Sequence, residues 1–77
     1  MFKIVDFSQE RLIAMGFKKT DFDWFLKANI GGDKRVLFTV YAGSEYLRVS
    51  RTSYVAMEQL KLIHEWTKQG FIEYVNV

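Results

Sequence analysis

The middle of the chain alternates apolar and polar residues, which is the pattern of half-buried strands. From residue 21 to residue 27, one face holds Phe22, Trp24 and Leu26, and the other holds Asp21, Asp23, Phe25 and Lys27. From residue 35 to residue 41, one face holds Val36, Phe38 and Val40, and the other holds Leu37, Thr39 and Tyr41. Both segments are predicted to be strands, joined by a turn in the glycine-containing stretch 29–34.

A third strand is predicted at residues 46–49, after a tight turn at Gly43 and Ser44. Its alternation adds two residues to each face of the sheet. The three strands form an antiparallel meander whose expected core face holds Phe22, Trp24, Val36, Phe38, Val40, Leu47 and Val49. Both faces carry enough apolar bulk to be buried, so the pattern leaves open which face a helix covers.

Two further segments have helical spacing. Ser8 is a good N-cap for a helix over residues 9–15, and Gly16 suits the left-handed position that follows a helix. A longer amphipathic helix is predicted from about Ser53 to Gln69, with Gly70 after its end. The residues expected on its buried side are Val55, Ala56, Leu60, Leu62, Ile63 and Trp66.

The predicted fold class is α+β, in the order helix, three-stranded antiparallel meander, helix, with short strands as an option at both termini. No linker, repeat or low-complexity stretch interrupts the 77 residues, so residues 1–77 are expected to form one domain. Hydrophobic residues make up 49% and aromatic residues 17%, which is enough for a packed core.

Composition also narrows the chemistry. Cysteine is absent, which excludes disulfides and thiolate sites and makes the cytoplasm the expected location. No stretch approaches the roughly 20 apolar residues of a membrane span. The single histidine, His64, has no partner at catalytic or metal-binding spacing. We therefore expect no enzyme activity, no metal, no cofactor and no small-molecule substrate.

The net charge is only +2, so the distribution of charge matters more than its total. A cluster of basic and hydroxyl residues marks the predicted junction between the third strand and the long helix: Arg48, Ser50, Arg51, Thr52 and Ser53. A helix N-terminus with such side chains can hold a phosphate. The alternative is that Thr52 or Ser53 caps the helix and the arginines are solvated.

Two basic pairs in predicted loops are further candidates for nucleic-acid binding: Lys18 with Lys19, and Lys34 with Arg35. Nearby carboxylates offset their charge, so an ordinary solvated surface is the alternative. On the sheet, Phe25, Leu37, Tyr41 and Tyr46 are left on the face away from the core, together with Lys27 and Arg48. Such a face can stack bases, or it can be covered by the first helix, a second copy or a protein partner.

The order of elements resembles that of the double-stranded RNA-binding domain. The resemblance covers most of the chain as topology and implies phosphate contacts from the start of the last helix. Members of that family carry a lysine-rich motif there, whereas this chain has only Arg51 among Ser50, Thr52 and Ser53. In length and texture the chain also resembles short proteins encoded by phages and mobile elements, which implies a cytoplasmic accessory protein.

The function expected from the sequence is binding without catalysis. A protein partner or a homodimer is favoured, through Phe25, Leu37, Tyr41 and Tyr46. Nucleic-acid binding through the basic residues is the alternative, with Arg48 and Arg51 at the junction and Lys18, Lys19, Lys34 and Arg35 beside it. No membrane association is expected.

Overall fold

The computed structural model describes residues 1–30, 32–51 and 56–76. Within these residues the elements are β1 (Phe2–Ile4), α1 (Gln9–Ala14), β2 (Lys18–Lys19), β3 (Asp23–Ile30), β4 (Asp33–Tyr41), β5 (Tyr46–Val49), α2 (Ala56–Gln69) and β6 (Ile72–Tyr74). The strands form one antiparallel sheet in the order β2, β3, β4, β5, β1, β6. Neither of the helices described here is long and apolar enough to cross a membrane.

The α+β class is confirmed, but the αβββα order and the three-stranded sheet were wrong. Strands β3, β4 and β5 pair as a meander, and the described sheet has six strands because β2 adds to β3 and β1 inserts between β5 and β6. Pairing of Phe2 with Tyr74 brings the two ends of the chain together. Strand β2 consists of two lysines and has no periodicity that a pattern could detect.

The turn between β3 and β4 is shorter than the expected stretch 29–34. Strand β3 begins at Asp23 rather than residue 21 and continues to Ile30, while β4 already begins at Asp33. Ile30 pairs with Asp33, so only two residues separate the strands. This tight connection fixes the register of the hairpin.

Both predicted ends of α1 and the predicted C-terminal end of α2 are confirmed, whereas the predicted start of α2 near Ser53 lies outside the described residues. The hydroxyl oxygen of Ser8 accepts a hydrogen bond of 3.0 Å from the main-chain N–H of Arg11, which is an N-cap contact. After α1, the N–H of Phe17 donates to the oxygen of Leu12 at 2.9 Å, and Gly16 has a positive φ of 96°. Such a backbone conformation favours glycine. The same arrangement closes α2 at Gly70.

Strand β4 contains a bulge that breaks its alternation. Leu26 lies opposite Phe38 while Lys27 lies opposite Val36, so Leu37 is an extra residue. Both Leu37 and Phe38 are fully buried, with 0% of their surface exposed. Leu37 was predicted to lie on the outer side of the sheet. That prediction was wrong because strict alternation cannot locate an inserted residue.

Both helices contribute to one buried cluster on the same side of the sheet. Leu12 of α1 and Trp66 of α2 belong to it, and the Trp66 ring lies 5.0 Å from the Phe38 ring between centroids. We call this side the inner face. The opposite side, the outer face, carries Lys18, Asp23, Phe25, Lys27, Val36, Thr39, Tyr41, Tyr46 and Arg48. The helices therefore leave the outer face open among the described residues.

Several residues expected in the core are exposed. Phe22 is 81% exposed because it precedes β3, in the turn after β2. Leu60 is 60% exposed and Ala56 is also exposed, since α2 directs Gln59 and Trp66 toward the sheet. Val49, at the end of β5, is 40% exposed. The expected positions of Ser53 and Val55 lie outside the described residues.

Candidate functional site

The outer face contains a row of four residues in register across β2, β3, β4 and β5. Lys18 lies opposite Phe25, Phe25 opposite Thr39, and Thr39 opposite Arg48. Directly opposed residues in antiparallel strands have Cβ atoms roughly 5 Å apart, so neighbouring side chains in the row are within reach of each other. The row places a cation at each end and an aromatic ring and a hydroxyl group between them.

Two cations lie against rings on this face. The Lys27 Nζ atom is 5.0 Å from the centroid of the Phe25 ring, two residues earlier on the same strand face. The Arg48 Cζ atom is 5.0 Å from the centroid of the Tyr41 ring. Tyr41 is 48% exposed, so its ring is accessible as well as paired with a cation. Each contact is worth about 0.5–1 kcal/mol at an exposed position.

One end of the outer face has a small cavity, which we call the lysine cavity. Its volume is about 140 Å³, and it is lined by Gly16, Lys18, Phe25, Lys27, Ala28, Asn29 and Lys34. Three of these lining residues are lysines and none is acidic. All three lysines are exposed.

The chain path explains the cavity. Strand β2 has two residues and its pairing with β3 ends at Lys18 and Phe25. Before Lys18 the chain turns away at Gly16, where α1 ends. Beyond Phe25, β3 therefore has no strand neighbour on this side in the described part of the chain. Across the hairpin, Asn29 pairs with Lys34, which brings that lysine to the same place.

The outer face is electrostatically uneven. Within residues 1–30, 32–51 and 56–76 the direct ion pairs join Lys3 with Glu45, Arg11 with Asp6, Arg35 with Asp33, and Lys61 with Glu58. None of them includes a lysine of the cavity or Arg48. Glu73, opposite Lys3, lies at the far β1–β6 end of the sheet. At the β2–β3–β4 end, Asp23, opposite Tyr41, also lies on this face, so the excess of positive charge is around Lys18, Lys27 and Lys34.

The structure brings together some of the predicted nucleic-acid candidates and separates others. Lys18 and Lys34 meet at the lysine cavity. Lys19 lies on the inner face, with its Nζ atom 6.0 Å from the centroid of the Trp24 ring. Arg35 forms an ion pair with Asp33, with 3.4 Å between the guanidinium nitrogen and the carboxylate oxygen. Neither lines the cavity.

The basic junction is described only in part. Arg48 lies on the outer face, and Arg51 is exposed after β5. Thr52 and Ser53 lie outside the described residues, so a phosphate site at the start of α2 stays a prediction.

Of the predicted interface residues, Phe25, Tyr41 and Tyr46 lie on the outer face and Leu37 is in the core. Sequence reasoning missed Lys27 and Asn29 as neighbours of Lys18 and Lys34. The alternation already placed Lys27 beside Phe25, and that signal could have found it. The meeting of Asn29 and Lys34 depends on the hairpin register.

Phe22 forms a second exposed feature, at the opposite end of β3. The hydroxyl of Thr20 donates a 2.7 Å hydrogen bond to the Asp23 carboxylate and accepts one of 3.0 Å from the Asp23 N–H. The Phe22 carbonyl oxygen also accepts a hydrogen bond from the N–H of Ala42 at 3.2 Å. A well-anchored turn therefore holds a ring that is 81% exposed.

No protein-family model, curated protein or solved structure matches this chain. Within the described residues, no three His, Cys, Asp or Glu side chains come close enough to hold a metal ion.

Proposed function

We propose that the protein is a small non-enzymatic binding module whose outer face takes single-stranded nucleic acid. The observation that supports this best is the row of Lys18, Phe25, Thr39 and Arg48 on a face that neither helix covers. Aromatic rings offer bases a stacking surface, and the cations beside them neutralise phosphates.

The sequence favoured a protein partner over nucleic acid. The burial of Leu37 weakens the case for a protein partner on the outer face. With Leu37 in the core, the outer face loses one aliphatic residue, and Val36, opposite Lys27, is the aliphatic residue that β4 places there instead. The rings of Phe25 and Tyr41 each have a cation 5.0 Å away. The cores of protein interfaces are depleted in charged residues, and in lysine especially. Alternating rings and cations suit a strand of bases and phosphates better.

An unpaired strand fits this surface better than a duplex. Bases can stack on Phe25 and Tyr41 only if they are not already paired within a helix. The charged surface extends from Lys34, opposite Asn29, to Thr39, opposite Phe25, which is four steps along β3 or roughly 14 Å at about 3.4 Å per residue. The resemblance to a duplex-RNA domain placed phosphate contacts at the start of α2, and the six-stranded order differs from the one on which it rested.

The proposal is tested by fluorescence anisotropy with labelled DNA and RNA of about 12 nucleotides, since single-strand sites typically span about 4–16 nucleotides per module. Phe25→Ala and Tyr41→Ala should each weaken binding by roughly fivefold to a hundredfold, because base stacking is worth about 1–3 kcal/mol. Circular dichroism should show that both variants remain folded.

Lys18 and Lys19 offer a matched control pair. They are adjacent lysines on opposite faces of one strand. Lys18→Gln should weaken binding, and Lys19→Gln should leave it nearly unchanged. Equal losses of affinity for the two variants would show that binding depends on the net charge and not on the outer face. Undetectable binding at low salt would reject the proposal.

A protein partner, or a second copy, is the second candidate, and Phe22 favours it. A firmly held, exposed aromatic ring is the kind of side chain that anchors protein interfaces. We propose Phe22→Ala and the double variant Tyr41→Ala, Tyr46→Ala to test it by sedimentation. If the native chain sediments as a monomer at all concentrations, the second-copy form of this candidate is excluded. We propose a cytoplasmic location for either function, consistent with the absence of cysteine.

A further inference from the structure

We infer that the lysine cavity binds a terminal phosphate monoester, so that the module prefers strand ends that carry a phosphate. This inference rests on the proposed function. It assigns a phosphate monoester to the cavity at the β2 edge of the sheet. Base stacking on the outer face does not require such a group.

The charge of the cavity suits a monoester better than an internal linkage. Lys18, Lys27 and Lys34 line it without a carboxylate, and Asn29 adds an amide group. A phosphate monoester carries a charge of about −1.5 to −2 at neutral pH and three strong acceptor oxygens, whereas each internal phosphate of a strand carries one negative charge. Three lysines that line one cavity therefore favour the more highly charged group.

The size of the cavity fits a phosphate group. Its volume is about 140 Å³. A cavity of about 150 Å³ accommodates benzene, which has six heavy atoms. A phosphate group has five heavy atoms and fits the same volume.

Phe25 connects the cavity to the stacking surface. Its side chain lines the cavity and also belongs to the row between Lys18 and Thr39. A terminal base that stacks on Phe25 thus places its phosphate beside the lysines. Strand β2 ends at this point, so the cavity lies at the border of the sheet, where a bound strand would begin or end.

The test compares oligonucleotides of one sequence that carry a 5′-phosphate, a 3′-phosphate or no phosphate. At least one phosphorylated form should bind roughly tenfold more tightly, as expected for an added charged hydrogen-bonding group. The two phosphorylated forms show which end is recognised. Lys34→Gln should abolish the preference, measured as the ratio of the affinities for phosphorylated and unphosphorylated strands, whatever its effect on the affinity for the unphosphorylated strand.

Lys19→Gln is the control, since Lys19 does not line the cavity. It should keep the full preference. Equal binding of all three oligonucleotides would overturn this inference and leave the proposed function intact. A preference that persists in Lys34→Gln would also overturn it. If none of the three oligonucleotides binds, both the inference and the proposed function fail.

Discussion

The side-chain amide of Gln59 donates a 2.9 Å hydrogen bond to the main-chain oxygen of Leu37, the extra residue of the β4 bulge. The same Nε2 atom donates to the oxygen of Ser50 at 2.8 Å. Gln59 is only 5% exposed. A bulge disturbs the regular ladder, and a buried carbonyl needs a partner. Gln59 therefore attaches α2 to the sheet and sets which side of the helix is buried.

Gln59→Leu should lower the free energy of unfolding by about 1–2 kcal/mol, since one buried and one partly buried hydrogen bond are lost. Leu37 keeps the 3.0 Å bond from the N–H of Ser50, so most of the loss arises at the Ser50 oxygen. Urea denaturation measures the change. Gln69→Leu, at an exposed position of the same helix, is the control and should change little. Coinciding curves for both variants would contradict the role of Gln59.

Leu37→Ala should destabilise the protein much more than Leu60→Ala. The sequence pattern predicts the reverse, because it places Leu37 on the outer face and Leu60 on the buried side of the long helix. Leu37 is 0% exposed, so truncating it should cost about 2–5 kcal/mol. Leu60 is 60% exposed, and its truncation should stay within about 0.5 kcal/mol. Thermal unfolding of the two variants distinguishes these values. A larger loss for Leu60→Ala would show that α2 has the predicted orientation instead.

The sequence predicts correctly those features that depend on residues close together in the chain. Ser8 and Gly16 mark the ends of α1 because capping involves residues only a few positions apart. The bulge at Leu37 and the rotation of α2 could not be predicted, since a glutamine that bonds across 22 positions decides them.

The candidate site shows the same division. Alternation placed Phe25, Lys27 and Tyr41 on one face, because strand periodicity is local. The lysine cavity depends on three separate features of the fold: the length of β2, the two-residue connection after β3, and the register that pairs Asn29 with Lys34. No single stretch of sequence contains that information.

Gly16→Ala should destabilise the protein more than Gly70→Ala. Both glycines follow a helix with positive φ, so either substitution strains the backbone by about 1–2 kcal/mol. A Cβ atom at Gly16 would also lie 3.2 Å from Leu26 Cδ1, whereas nothing lies within 4 Å at Gly70. The urea midpoint should therefore fall further for Gly16→Ala. Equal midpoints would mean that Leu26 moves aside without cost.

Salt should weaken oligonucleotide binding in proportion to the number of phosphates that the lysines neutralise. For single strands, the slope of log affinity against log salt is about −0.7 per contact. Lys27→Gln should make this slope shallower by about 0.7, because one contact is lost. Lys68→Gln, on the exposed side of α2, should leave it unchanged. Titrations at several salt concentrations measure both slopes, and parallel lines for all proteins would exclude Lys27 from the contact.

Acidification should reduce the preference for a phosphorylated end. The second pKa of a phosphate monoester is about 6, so the group loses its second negative charge as the pH falls from about 7.5 to 5.5. Attraction to the lysine cavity then decreases, and the affinity ratio between phosphorylated and unphosphorylated strands should decline toward the smaller ratio of a singly charged terminal phosphate. The matched control is the same oligonucleotide with a methyl ester on its terminal phosphate. That group is a diester and does not titrate in this range, so its smaller preference should not change with pH. A pH-independent ratio for the monoester would mean that the cavity does not sense the second charge.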